Sequence, residues 1–208
     1  MADAEFFFDP VCPWAWITSR WVTEVAEQRH LDVDWRFICL RFVNEHRDYE
    51  REFRPGYEEG HNLGMRLLRA AAAQKARDPG RVAAIYTLFG NRLHVEGRRS
   101  DLMDPDGLRA TLSEEGFDDD LADAAYDEKW DEPVRADTED ALGRVGRDVG
   151  TPIITFGSPD GPSFFGPVIS RIPRGQEAVD LWDAVERIAR FPGFSELKRS
   201  LRERPQTS

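Results

Sequence analysis

The chain has 208 residues, a formal charge of -11, 40% apolar and 32% charged side chains, and 13 Phe and 6 Trp. That length and aromatic content suit one well-filled core and exclude a disordered chain, while being short for two independent domains. The acidic balance, with no run of Lys and Arg among aromatics, excludes a phosphate-backbone partner, so no nucleic acid is expected.

Met1 to Phe8 holds no basic region and only a three-residue Phe run. It reads as neither a secretory signal nor a membrane span, so a cytoplasmic protein with no membrane partner is expected. Two cysteines, Cys12 and Cys39, make no disulfide scaffold and suit a reducing compartment.

Glu5 to Phe8, stopped by Asp9-Pro10, reads as a buried strand. Trp14 to Arg29 places Ile17, Trp21 and Val25 at helical spacing, which predicts an amphipathic helix starting beside Cys12. Val33 to Leu40 alternates, with Val33, Trp35, Phe37 and Cys39 on one face of a second strand, parallel to the first through a right-handed crossover.

From Asn44 to about Asp148 the chain is rich in Ala, Leu, Arg and Glu and predicts helices only. Pro79, Pro105 and Pro133 mark first turns, and the run Asp118-Asp119-Asp120 reads as a helix start. Ile153 to Phe156 and Ser163 to Phe165 predict a hairpin around Gly157 to Gly161, and Gln176 to Arg190 a last helix. The order βαβ, helices, ββα is an α/β thioredoxin core, residues 1–43 and 148–208, split by an all-helical insertion, residues 44–147.

Cys12-Pro13-Trp14-Ala15 lies where a strand meets a helix N-terminus. Free amides and the helix dipole favour a thiolate there, which predicts an acidic, accessible sulfur; an ordinary buried cysteine is the alternative. Cys39 is a candidate resolving cysteine, but its alternating apolar face predicts a buried, inert thiol. His30, His46, His61 and His94 show no ligand-pair spacing, so no metal is expected. No glycine fingerprint follows a strand, so NADPH electrons would arrive through another protein.

FFFDPVCPWAWITSRW (Phe6 to Trp21), LRFVNEHRD from Leu40, VGTP (Val149 to Pro152) and FFGPVISRIPRG (Phe164 to Gly175) run nearly end to end through the chain. Together they resemble the actinobacterial, DsbA-like mycothiol-dependent nitroreductases. The resemblance implies a thiol oxidoreductase with Cys12 and Pro13 at the active site and Thr151-Pro152 as the cis-proline loop facing the sulfur, although a plain turn is the other reading of that dipeptide. It also places Trp14, Asn44 and Tyr57 along the substrate pocket.

Ala15 departs from the pattern, standing where the resembled proteins carry a second cysteine. An internal dithiol is therefore absent, and monothiol exchange with mycothiol or glutathione as cosubstrate is expected, acting on a small electrophile or disulfide with no tightly bound cofactor. Arg171 and Arg174 could hold an anionic thiol, solvated charge being the commoner role. Two other readings remain open: a kappa-type thiol transferase or 2-hydroxychromene-2-carboxylate isomerase, and a redox-inactive binding protein. The aromatic content is compatible with a homodimer.

Overall fold

A computed structural model describes residues 1–199 and 203–208. Its sheet has four strands in the order β2-β1-β3-β4, formed by β1 (Ala4–Phe8), β2 (Val33–Phe37), β3 (Ile153–Phe156) and β4 (Ser163–Phe165). β1 pairs parallel to β2 and antiparallel to β3, and β3 pairs antiparallel to β4. The second strand ends at Phe37, short of the Leu40 expected from alternation. Cys39 instead precedes a four-residue helix, α2 (Leu40–Val43).

β1 is buried at every position because it is central and covered on both faces. Phe6 and Phe8 enter the main core with α1 (Pro13–Arg29) and α10 (Gly175–Ala189). Trp21 fastens these two helices, its indole N–H donating to the Ala178 carbonyl at 2.8 Å while its ring lies 5.5 Å from that of Trp182. Phe7 points the other way, among Ile38, Ala141, Leu142 and Ile153, under α9 (Asp131–Val145).

The same α9 face carries charge deep into the sheet. Arg36 pairs with Asp137 and Asp140, both at 2.5 Å, and Arg144 pairs with Asp140 at 2.7 Å and also with the buried Glu5. Each buried charge is thus matched, the condition under which such groups are tolerated in an interior.

Between β2 and α9 the backbone is helical: α3 (Tyr49–Glu52), α4 (Tyr57–Arg77), α5 (Val82–Gly90), α6 (Arg99–Met103), α7 (Pro105–Glu114) and α8 (Leu121–Ala124), with a π-helical turn over Asn91–Val95. The long α4 buries its alanine run Ala70 to Ala73, which allows neighbouring helices to approach closely. Pro79 and Pro105 open helical turns, and Asp104 accepts from the Gly107 amide at 2.9 Å.

The acidic run stands at a helix start, as expected, but its side chains do not cap it. α8 starts directly after Asp120, but the carboxylates of Asp118 and Asp120 hold Arg77 at 3.0 and 2.7 Å and cap no amide of that helix. A guanidinium offers a charged partner where a four-residue helix offers only a weak dipole.

Two glycines let the helices seat against the start of α1. A Cβ at Gly90 would lie 2.1 Å from the Trp16 ring, and one at Gly64 would lie 2.5 Å from a carboxylate oxygen of Asp9. Both contacts need a residue without a side chain.

No described helix is long and apolar enough to cross a membrane.

Candidate active site

The buried strand β1 delivers the chain into a tight turn, in which the Cys12 amide donates to the Asp9 carbonyl at 3.1 Å. Cys12 caps α1, with Pro13 in the first turn where its missing N–H costs no helix bond. The Ala15 amide donates to Cys12 Sγ at 3.5 Å, and Sγ–H donates to the Thr151 carbonyl at 3.6 Å. Thr151 is fixed in turn, its hydroxyl donating to the Phe7 carbonyl at 3.1 Å, and the Thr151–Pro152 peptide is cis. Cys12, Pro13, Ala15, Thr151 and Pro152 thus meet in one place.

The sulfur itself corrects the expectation of an acidic, accessible thiolate. Cys12 is 8% exposed, and burial pushes its thiol up to about 12, outweighing the backbone amides of Ala15 and Trp14 that pull the other way. Asp9 adds to the upward shift, since a negative charge nearby disfavours a second one. In this closed conformation Cys12 is a neutral donor. Ala15 is fully buried, so the position of the absent second cysteine faces no solvent.

Asp9 was legible only as a strand breaker, yet it organises the site. One carboxyl oxygen accepts from the Val11 amide at 3.1 Å and the other from the Leu40 amide at 2.8 Å, tying the cysteine turn to the start of α2. Its side chain is fully buried, its hydrogen-bond donors are backbone amides, and burial pushes its pKa up to about 7. The signal in the sequence was an acid placed immediately after three apolar strand residues, a position that a strand end in a core can bury.

His94 was also missed. Its Nε2–H donates to the Pro10 carbonyl at 2.8 Å and its ring stacks on Trp16 at 5.9 Å, joining the helical segment to the turn before Cys12. Burial lowers its pKa, which keeps it neutral.

The three pocket residues expected from resemblance are dispersed in role. Trp14 packs half-buried against the main core on α1. Asn44 is buried, and its side-chain amide donates to the Leu40 carbonyl at 2.8 Å, so it closes α2. Tyr57 is 47% exposed and joins an aromatic cluster, its ring 5.7 Å from Phe53 and 5.8 Å from His61. The Tyr49 hydroxyl completes that cluster with a 2.8 Å bond to His61 Nδ1.

Cys39 is fully buried and its thiol is driven upward, chiefly by burial, so it is inert in this conformation. Arg171 and Arg174 are held by Glu177 at 2.5 Å and Glu24 at 3.1 Å, which leaves their charge already matched. Among the described residues no group of His, Cys, Asp and Glu could hold a metal ion.

A four-stranded sheet whose first strand feeds a Cys-Pro helix start facing a Thr-Pro loop defines a DsbA-like thioredoxin-fold protein. Solved structures agree on the fold. Cytosolic disulfide reductase DsbM from Pseudomonas aeruginosa matches with a TM-score of 0.53 and 22% identity, over 77% of this chain and 87% of that one. A 2-hydroxychromene-2-carboxylate isomerase matches with a TM-score of 0.59 and 16% identity, over 90% and 96%.

The chain belongs to the family described as mycothiol-dependent nitroreductase Rv2466c, whose model matches residues 11–199. A relative in Mycobacterium tuberculosis (strain ATCC 25618 / H37Rv), the uncharacterized protein Rv2286c, is 30% identical over 204 residues, 96% of this chain and 82% of its own length. Thiol-dependent redox chemistry of the DsbA-like class is what family and fold support together.

Proposed function

We propose that this protein is a cytoplasmic monothiol oxidoreductase in which Cys12 exchanges with a low-molecular-weight thiol, mycothiol in the first place. The observation that carries this reading is the position of Cys12 Sγ, at a helix N-terminus and against the Thr151 carbonyl of the Thr-Pro loop. In the forward step the Cys12 thiolate attacks one sulfur of a disulfide, the S–S bond breaks, and the other sulfur leaves as a thiolate that takes up a proton. A second thiol then attacks the mixed disulfide, releasing Cys12 and a new disulfide. With Ala15 in place of a cysteine, no internal attack competes with that release.

Nitroreduction fits the same thiol supply, since taking a nitro group to nitroso with loss of water consumes two thiols and yields one disulfide. The test is loss of nitroaromatic absorbance in the presence of mycothiol, with disulfide counted beside it. The expected result is turnover in the native protein and none in Cys12→Ser; turnover retained in Cys12→Ser would refute the nucleophile.

A second reading is favoured by one observation: the Cys12 thiol is buried and donates to a carbonyl. A neutral donor is suited to hydrogen-bond the thiolate of a bound cosubstrate, as an isomerase or thiol transferase would require, and that enzyme would form no covalent adduct at Cys12.

A further inference from the structure

The last described segment, residues 203–208, folds back onto the active-site side of the molecule. The Gln206 amide donates to the Ser170 carbonyl at 2.8 Å, and the Ser170 hydroxyl donates to Glu203 at 3.1 Å. Next along the chain, the Trp16 indole N–H donates to the Thr207 carbonyl at 3.1 Å, and the Thr207 hydroxyl donates to the His94 carbonyl at 2.6 Å. One extended segment therefore touches the loop after β4, helix α1 and the π-helical turn together.

Its position bears on Cys12. Trp16 lies one helical turn beyond Cys12 on α1, so the two share a helix face. His94 bonds to Pro10, two residues before Cys12. Thr207 thus clasps the groups on either side of the cysteine, and Trp16 beneath it is only 1% exposed. Two of the four bonds use this segment's own backbone groups, the kind of pairing any extended peptide could make with the same partners.

We propose that residues 203–208 are a built-in strap across the Trp16 and His94 side of the cysteine turn, so that an extended polypeptide must displace it to approach Cys12 and a small thiol or disulfide need not. This deepens the monothiol reading above by assigning its substrate class. A polypeptide would have to displace the strap and recover the Trp16, His94 and Ser170 contacts, whereas a small molecule, once the sulfur is uncovered, leaves those contacts in place.

The test compares the native chain with a form ending at residue 202 and with Gln206→Pro, which removes the amide that bonds to Ser170. Cys12 is alkylated with N-ethylmaleimide and, separately, with a maleimide carried on a long unstructured peptide, the modified residue being located by mass mapping. Both variants should react about tenfold faster with the peptide reagent, as expected for an approach covered about nine-tenths of the time, and change less than about twofold with the small one. Equal rates with the peptide reagent in all three proteins would overturn the strap. So would equal acceleration by both reagents, which marks general loosening. Alkylation reports access to Cys12 whether or not it exchanges with disulfides, so the strap and the monothiol reading can fail separately.

Discussion

At the residue scale the site is governed by two buried acids, the thiol of Cys12 and the carboxyl of Asp9. Below its thiol pKa the reactive fraction of a cysteine grows tenfold with each pH step, so alkylation of Cys12 should keep rising with pH from neutrality upward, with no plateau near about pH 7. A plateau near about pH 7 would mean that the sulfur spends its time in a conformation more open than this one. Asp9 acts on stability. Its folded pKa of about 7 exceeds its ordinary 3.8, so its favourable contribution is complete below the ordinary value and is lost as pH rises through about 7. The native protein should therefore melt at a lower temperature at about pH 8 than at about pH 5. Asp9→Asn should flatten that difference, whatever its effect on the melting temperature itself; an unchanged difference would show that other groups carry it.

Those two residues also mark where sequence reasoning stopped. A cysteine before a proline at a helix start is visible in a string of letters, because helix ends leave free amides wherever they occur. Its depth is not visible, since that depends on how Thr151, more than a hundred positions away, and the helices beyond Asn44 close over it. Asp9 was hidden for the same reason: its partner amide on Leu40 is brought near only by the parallel pairing of β1 and β2.

At the scale of elements, periodicity was a good guide where one face is apolar and the element is long. The helix after Pro13, the two-stranded hairpin near the C-terminal end and the last amphipathic helix fall within a few residues of their expected limits. The short helices α2, α3 and α8, of four residues each, carry too little repeat for a period to register, and the π-helical turn has no signature of its own. The seam between α1 and α5 depends on one such local feature. Gly90 leaves room for the Trp16 ring, so Gly90→Ala should force the indole or the helix aside and cost about 1–3 kcal/mol, read as a lowered urea midpoint with unchanged slope. No change in midpoint would show that the two helices can separate freely.

At the scale of the whole molecule, the order of strands and helices was readable because a parallel crossover and a hairpin both leave local marks. The return of residues 203–208 across the molecule was not, since a short polar sequence has no period and makes half of its four bonds through backbone atoms that any residue carries. The same closure that hides Cys12 from solvent is what an exchange enzyme must relax in each cycle, and it concentrates the functional question on one sulfur. The most direct measurement is intact mass after exposure to oxidised mycothiol or oxidised glutathione, with Cys12→Ser in parallel and free thiol added afterwards. A single adduct, confined to Cys12 and released by the free thiol, is the expected result. An adduct on Cys12→Ser, or none on the native protein in its reduced form, would contradict a monothiol exchange site at Cys12.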